Sequence, residues 1–122
     1  MTVAYWIVAG ILAAAYLAAG ALKLLQPKDR LATRMGWVDD FSAGAIKAIA
    51  ALEVLAAIGL ILPPLTGIAP VLAPIAAVGL VFVQIGAITV HLRRGERAQL
   101  APNVVLLLLA IAAAALGFPV WS

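Results

Sequence analysis

The chain has 122 residues, of which 66% are hydrophobic and 11% charged, and it carries a formal net charge of +3. Soluble domains hold about 25% charged residues, so this chain lacks the polar surface to cover a water-soluble globule, and its mean hydropathy of +1.19 points to a polytopic membrane protein. With no cysteine there are no disulfides, thiolate metal sites or cysteine redox chemistry, and eight basic residues gathered at predicted helix ends do not form a nucleic-acid footprint.

The first predicted span covers residues 3–25. It lacks a basic n-region and its apolar run exceeds a signal-peptide core, so a retained transmembrane helix is expected although Ala19-Gly20-Ala21 imitates a cleavage site. Tyr5 and Trp6 stand where interfacial aromatic belts lie. Lys23 falls one turn from the end, either snorkelling to the headgroups or facing the mouth of a cavity. The connection that follows, Gln26 to Asp40, is the longest polar stretch. Its DRLATRM segment predicts a short interfacial helix with Leu31, Met35 and Trp37 towards lipid, and Asp39 and Asp40 would favour the positive N-terminus of the next helix.

The second span, residues 41–62, carries Lys47 and Glu53 in an otherwise apolar run. A charge at mid-bilayer costs roughly 2.5–3.5 kcal/mol even on the mildest scale. The two lie about 120° apart around the helix, the wrong spacing for an intrahelical pair. Glu53 is therefore expected to be protonated or paired across the bundle. Pro63-Pro64-Leu65-Thr66-Gly67 reads as a tight turn. The third span covers residues 68–92, with Pro70 and Pro74 in its first turns; Gln84 and His91 sit nearly on one face, about 10 Å apart along the axis. Pro102 starts the fourth span, residues 102–120, with Asn103 in its first turn. That span is almost purely aliphatic and ends in an interfacial anchor, Phe118-Pro119-Val120-Trp121.

All eight basic residues except Lys47 cluster at the first connection (Lys23, Lys28, Arg30, Arg34) or the third (Arg93, Arg94, Arg97). The positive-inside rule then puts these connections in the cytoplasm and both termini on the far side.

The chain resembles the DoxX-like (DoxX/DoxD-related) family of small bacterial integral membrane proteins. The resemblance is carried in order by Ala19-Gly20-Ala21-Leu22-Lys23-Leu24 ahead of Pro27, Glu53 ahead of Gly59-Leu60-Ile61-Leu62-Pro63, Gly86-Ala87 ahead of His91-Leu92-Arg93-Arg94-Gly95-Glu96, and Pro102-Asn103. It implies an all-α bundle of four transmembrane helices in the bacterial inner membrane. The family takes its name from a subunit of a thiosulfate:quinone oxidoreductase; some members are linked to oxidative-stress complexes and related eukaryotic proteins act as assembly helpers.

The candidate ligand-binding residues are Tyr16, Lys23, Lys47, Glu53, Gln84, His91 and Asn103, with Arg93, Arg94 and Glu96 as a loop motif. A cleft open to the cytoplasmic leaflet would hold a quinone-like or lipid ligand, its head near Lys47 and His91. The imidazole of His91 would exchange a proton with a quinol oxygen. The ring of His91 is expected to face inward, against a polar group of helix one or two. No metal site, intrinsic cofactor or catalytic residue is expected, because one His and scattered carboxylates supply no ligand set and no nucleotide fingerprint occurs. Three functions stay open: a membrane subunit or quinone/lipid-binding module serving a redox or stress-response partner, a structural or assembly protein without small-molecule chemistry, and a small transporter or channel component. Small-residue faces such as Gly44 and Ala48 suggest a homo-oligomer.

Overall fold

The computed structural model describes residues 2–32, 35–36 and 41–122. Among the described residues it holds five α-helices and no strand: α1 (Thr2–Leu25), α2 (Lys28–Ala32), α3 (Ala43–Thr66), α4 (Leu72–Arg93) and α5 (Leu100–Trp121). α1, α3, α4 and α5 are each long and apolar enough to cross a membrane. Their large side chains, Ile7, Leu55, Ile75 and Leu108 among them, lie exposed around the outside, the pattern of a bundle whose solvent is lipid. α1 packs on α3 and α5, and α4 on α5 and α3, so the four form a closed ring of neighbours.

The core is built from small residues: Ala9, Ala57, Ala73, Ala77, Ala110 and Ala113 are all buried, interleaved with Leu12, Leu60 and Leu80. Without a hydrophobic drive between helices in lipid, close backbone approach supplies the dispersion energy. Gly20 shows how close: a methyl there would lie 2.7 Å from Val54 Cγ2 and 2.9 Å from the Ala50 carbonyl of α3. The small-residue pair Gly44 and Ala48 is not used in this way, both residues being exposed.

Several predicted boundaries shift, each for a local reason. α3 begins at Ala43 because Ser42 caps it, its hydroxyl accepting from Ala45 N–H at 3.1 Å. It does not stop at the double proline. It runs through Pro63 and Pro64 to Thr66, ending where Gly67 adopts a left-handed φ of 75° and donates its N–H to Pro63 O. Pro64 has no N–H for the carbonyl four residues earlier, Leu60 O, and Tyr5 of α1 supplies the missing donor: its hydroxyl bonds Leu60 O at 2.7 Å. Residues 68–71 form a turn instead of the start of the third span. Pro74 then sits in the first turn of α4, where its missing N–H breaks no bond within the helix. Pro102 falls likewise in the first turn of α5, which starts two residues before it.

Tyr5 is thus no interfacial anchor. It is fully buried and forms an edge-to-face cluster with Trp6 and Trp121, centroids 5.5–5.8 Å apart. This cluster ties the N-terminal end of α1 to the C-terminal end of α5. In the first connection, α2 is one short turn, and Leu31 faces the bundle instead of lipid: it is buried against Ile46, with Leu22, Met35 and Phe41 around it. Arg34, Trp37, Asp39 and Asp40, on which the remaining expectations for this connection rest, lie outside the described residues.

Candidate functional site

Among the described residues, Lys23, Glu53, Gln84 and His91 are buried in the bundle together with the phenols Tyr5 and Tyr16. All of these except Tyr5 line one cavity of about 600 Å³, which runs from Tyr16 and Gln84 at mid-bundle to Gly36, Glu96 and Gln99 at the end where the first and third connections lie. Its walls are mainly apolar, with Ala15, Ala19, Ile49, Leu52, Phe82, Val83, Ala87, Val90 and Leu106 supplied by all four spans. A largely apolar cavity of this size with a few convergent polar groups has the form of a small-molecule site.

The polar groups fall into three sets. In the first, Lys23 of α1 donates to Glu53 Oε1 of α3 at 2.5 Å, with side chains only 9% and 5% exposed. Glu53 is therefore paired across the bundle, and Lys23, in the last turn of α1, turns inward instead of snorkelling. In the second, Tyr16 Oη donates to Gln84 Oε1 at 2.7 Å, and Gln84 Nε2 donates to Asn103 Oδ1 at 2.8 Å and Asn103 O at 3.0 Å. Asn103 Nδ2 in turn donates to Gln99 O at 2.6 Å. This chain links α1, α4 and α5, and the Asn103 backbone carbonyl, which can only accept, fixes the orientation of the Gln84 amide and leaves Oε1 to the tyrosine hydroxyl.

The third set lies at the connections. His91 Nδ1 is 3.0 Å from Glu96 Oε1, and Arg94 Nε is 3.2 Å from the same oxygen. The imidazole is buried while the Glu96 side chain is 27% exposed. The hydrogen bond from His91, joined by that from Arg94, holds the Glu96 carboxyl below the usual carboxylate range against its partial burial. The backbone brings these residues together: Gly95 turns with φ 69°, Glu96 N–H returns to His91 O at 2.9 Å, and the carboxylate folds back to the ring nitrogen Nδ1. Gly36 of the first connection closes against them, since a methyl there would sit 2.9 Å from Arg94 Nη2 and 3.2 Å from Glu96 Oε2.

The structure thus gathers Tyr16, Lys23, Glu53, Gln84, His91, Asn103 and Glu96 around one space, but not Lys47. The ammonium of Lys47 donates to three carbonyls at the end of α1: Lys23 O, Leu24 O at 3.2 Å and Gln26 O at 2.6 Å. It caps a helix C-terminus, where unpaired carbonyls and the negative end of the dipole meet. Arg93 and Arg94 do not line the cavity either; Arg93 is exposed and Arg94 acts through Glu96. His91 faces the cavity on the Gln84 side, yet the hydrogen bond it makes is to Glu96 of the following loop, not to a polar group of α1 or α3. Gln99 and Met35 also line the cavity without having been marked as candidates. Their periodicity carried no signal, because a loop supplies one and a 3₁₀ turn the other. Among the described residues no cluster of His, Asp and Glu could hold a metal ion.

Neither a curated protein nor a solved structure matches the chain. The model of the DoxX-like family does, over residues 7–113, a stretch that includes α3, α4, most of α1 and α5, and every cavity-lining residue named above. The chain is a multi-pass membrane protein that belongs to the DoxX-like family.

Proposed function

We propose that the cavity binds an amphipathic small molecule of the prenylquinone type, and that the protein acts as a membrane subunit or ligand-binding module for a redox or stress-response partner. The observation that carries this reading is the joining of about 600 Å³ of mainly apolar space to a graded set of hydrogen-bonding groups. A quinone ring needs donors for two carbonyl oxygens and apolar walls for its tail. His91 Nε2, without a partner among the described residues, supplies a donor or an acceptor according to its tautomer, and Phe82, Val83 and Leu106 supply apolar wall. The chain's own residues would bind and orient such a ligand and exchange protons with it; electrons would come from or go to the partner.

The test is an organic extract of the protein purified in mild detergent, analysed by mass spectrometry. About one prenylquinone per chain is expected, falling at least fivefold in a Gln84→Leu, His91→Leu double variant. Bulk phospholipid alone would refute the proposal. That result would favour the second reading, an assembly or scaffold protein, which draws on the pairing of Lys23 with Glu53 and of Gln84 with Tyr16 and Asn103: such contacts also fix helix register.

We further propose that the protein sits in the bacterial inner membrane with the Lys28 and Arg94 connections in the cytoplasm. The charge asymmetry supports this, since the opposite end, with both termini and residues 67–71, has no Lys or Arg. An impermeant thiol reagent applied to intact cells should label Thr66→Cys strongly and spare Ala32→Cys; the reverse pattern would overturn the orientation.

A further inference from the structure

We infer that His91 and Glu96 form a proton path between the interior of the cavity and the aqueous surface, with Glu96 as its outlet. His91 stands in the cavity wall, 8% exposed, on the same face as Gln84. Only its Nδ1 is engaged, by Glu96 Oε1 at 3.0 Å, whereas Nε2 has no partner among the described residues. Glu96 reaches from this buried ring to the surface, its side chain 27% exposed. The two residues are therefore in series: a group in the cavity, an imidazole with two distinct nitrogens, a carboxylate, and water.

The step balances without any oxidant or reductant. A proton arriving at His91 Nε2 from a ligand hydroxyl or a cavity water makes the imidazolium. The Nδ1 proton then passes to Glu96 Oε1 and on to bulk water, leaving the neutral ring as its other tautomer, and reversal delivers a proton inward. Glu96 suits this part because it is an anion at neutral pH, held so by the His91 and Arg94 hydrogen bonds. The other charged groups lining the cavity are Lys23 of α1 and Glu53 of α3, and these are bonded to each other; α5 contributes the neutral Asn103. The path deepens the proposed quinone reading, in which reduction and oxidation of the ligand move protons, but its test needs no quinone.

The chain contains one histidine, so selective ¹⁵N labelling gives a single imidazole to observe. The full chain in lipid nanodiscs is used, and the rate at which the ring N–H exchanges with water is measured by NMR between pH 6 and 8. Glu96→Gln keeps a hydrogen-bond acceptor on the ring but cannot carry the proton, and exchange should slow at least tenfold. Glu96→Ala should slow it as much, with recovery to within threefold of the parent in 100 mM acetate, a response that a merely ring-orienting Glu96 would not give. Arg97→Gln, which removes an exposed charge from the same connection and leaves the His91–Glu96 pair intact, should keep the parental rate. Exchange in either Glu96 variant within twofold of the parent, or no acetate rescue of Glu96→Ala, overturns the path. The quinone extract can fail while the exchange result stands, and the reverse, so the two proposals are judged separately.

Discussion

Replacing Glu53 by Ala would leave the Lys23 ammonium facing an apolar wall. Both side chains are less than 10% exposed and bonded at 2.5 Å, so solvent screening is slight. Removing one partner of a buried ion pair costs about 3–5 kcal/mol. Lys23 keeps a further interaction, and the cavity beside it can admit water, so about 3 kcal/mol is expected. For a chain of this length that corresponds to a fall in Tm of about 10 °C. Glu53→Gln, which retains an acceptor for the ammonium, should lose less than half as much. The double variant Lys23→Met, Glu53→Leu should be more stable than Glu53→Ala, because apolar side chains of similar size remove the unmatched charge altogether. Thermal unfolding of the purified protein in one detergent, read by circular dichroism for the parent and all three variants, gives the comparison. A Glu53→Ala protein melting within 2 °C of the parent would refute the reasoning, as would a double variant less stable than Glu53→Ala.

Tyr5→Phe should cost about 1–2 kcal/mol by leaving the buried Leu60 carbonyl without a donor, and much less in a Pro64→Ala background, where a backbone N–H returns to that carbonyl; a double-mutant cycle of melting temperatures checks it. Gly20→Ala should destabilise by about 1–3 kcal/mol, because the added methyl meets the Ala50 carbonyl as well as a side chain. Gly44→Ala, with open space at its Cβ position, should be neutral or slightly stabilising in the same unfolding assay. The lowered pKa of Glu96 implies a stabilising contribution that is present above the unfolded carboxyl value of about 4.3 and is lost as pH falls through the lower folded value. The difference in Tm between parent and Glu96→Gln should therefore be constant near neutrality and shrink below about pH 4.3.

The four spans were legible in the chain because a bilayer imposes a length and an apolar composition on each helix, and both are local properties. The expectation that Glu53 is protonated or paired across the bundle was equally local: an acid in the middle of an apolar helix has to be neutralised or partnered, whatever surrounds it. The identity of the partners was a different matter. Lys23 and Lys47 carry the same charge in similar apolar settings, and nothing local separates the one that pairs with Glu53 from the one that caps α1. That assignment depends on which faces of α1 and α3 meet, and small residues such as Gly20 set the meeting by allowing close approach. The continuation of α3 through Pro63 and Pro64 was hidden for the same reason, since the donor that makes it tolerable, Tyr5, lies 55 residues before the Leu60 carbonyl it serves. His91 was placed on the cavity face by its seven-residue spacing from Gln84, but its bond to Glu96 follows from the fold of a loop around Gly95, which helical periodicity does not reach. Spacing along one helix sets which face a residue occupies; only the packing of the other helices and loops decides what that face meets.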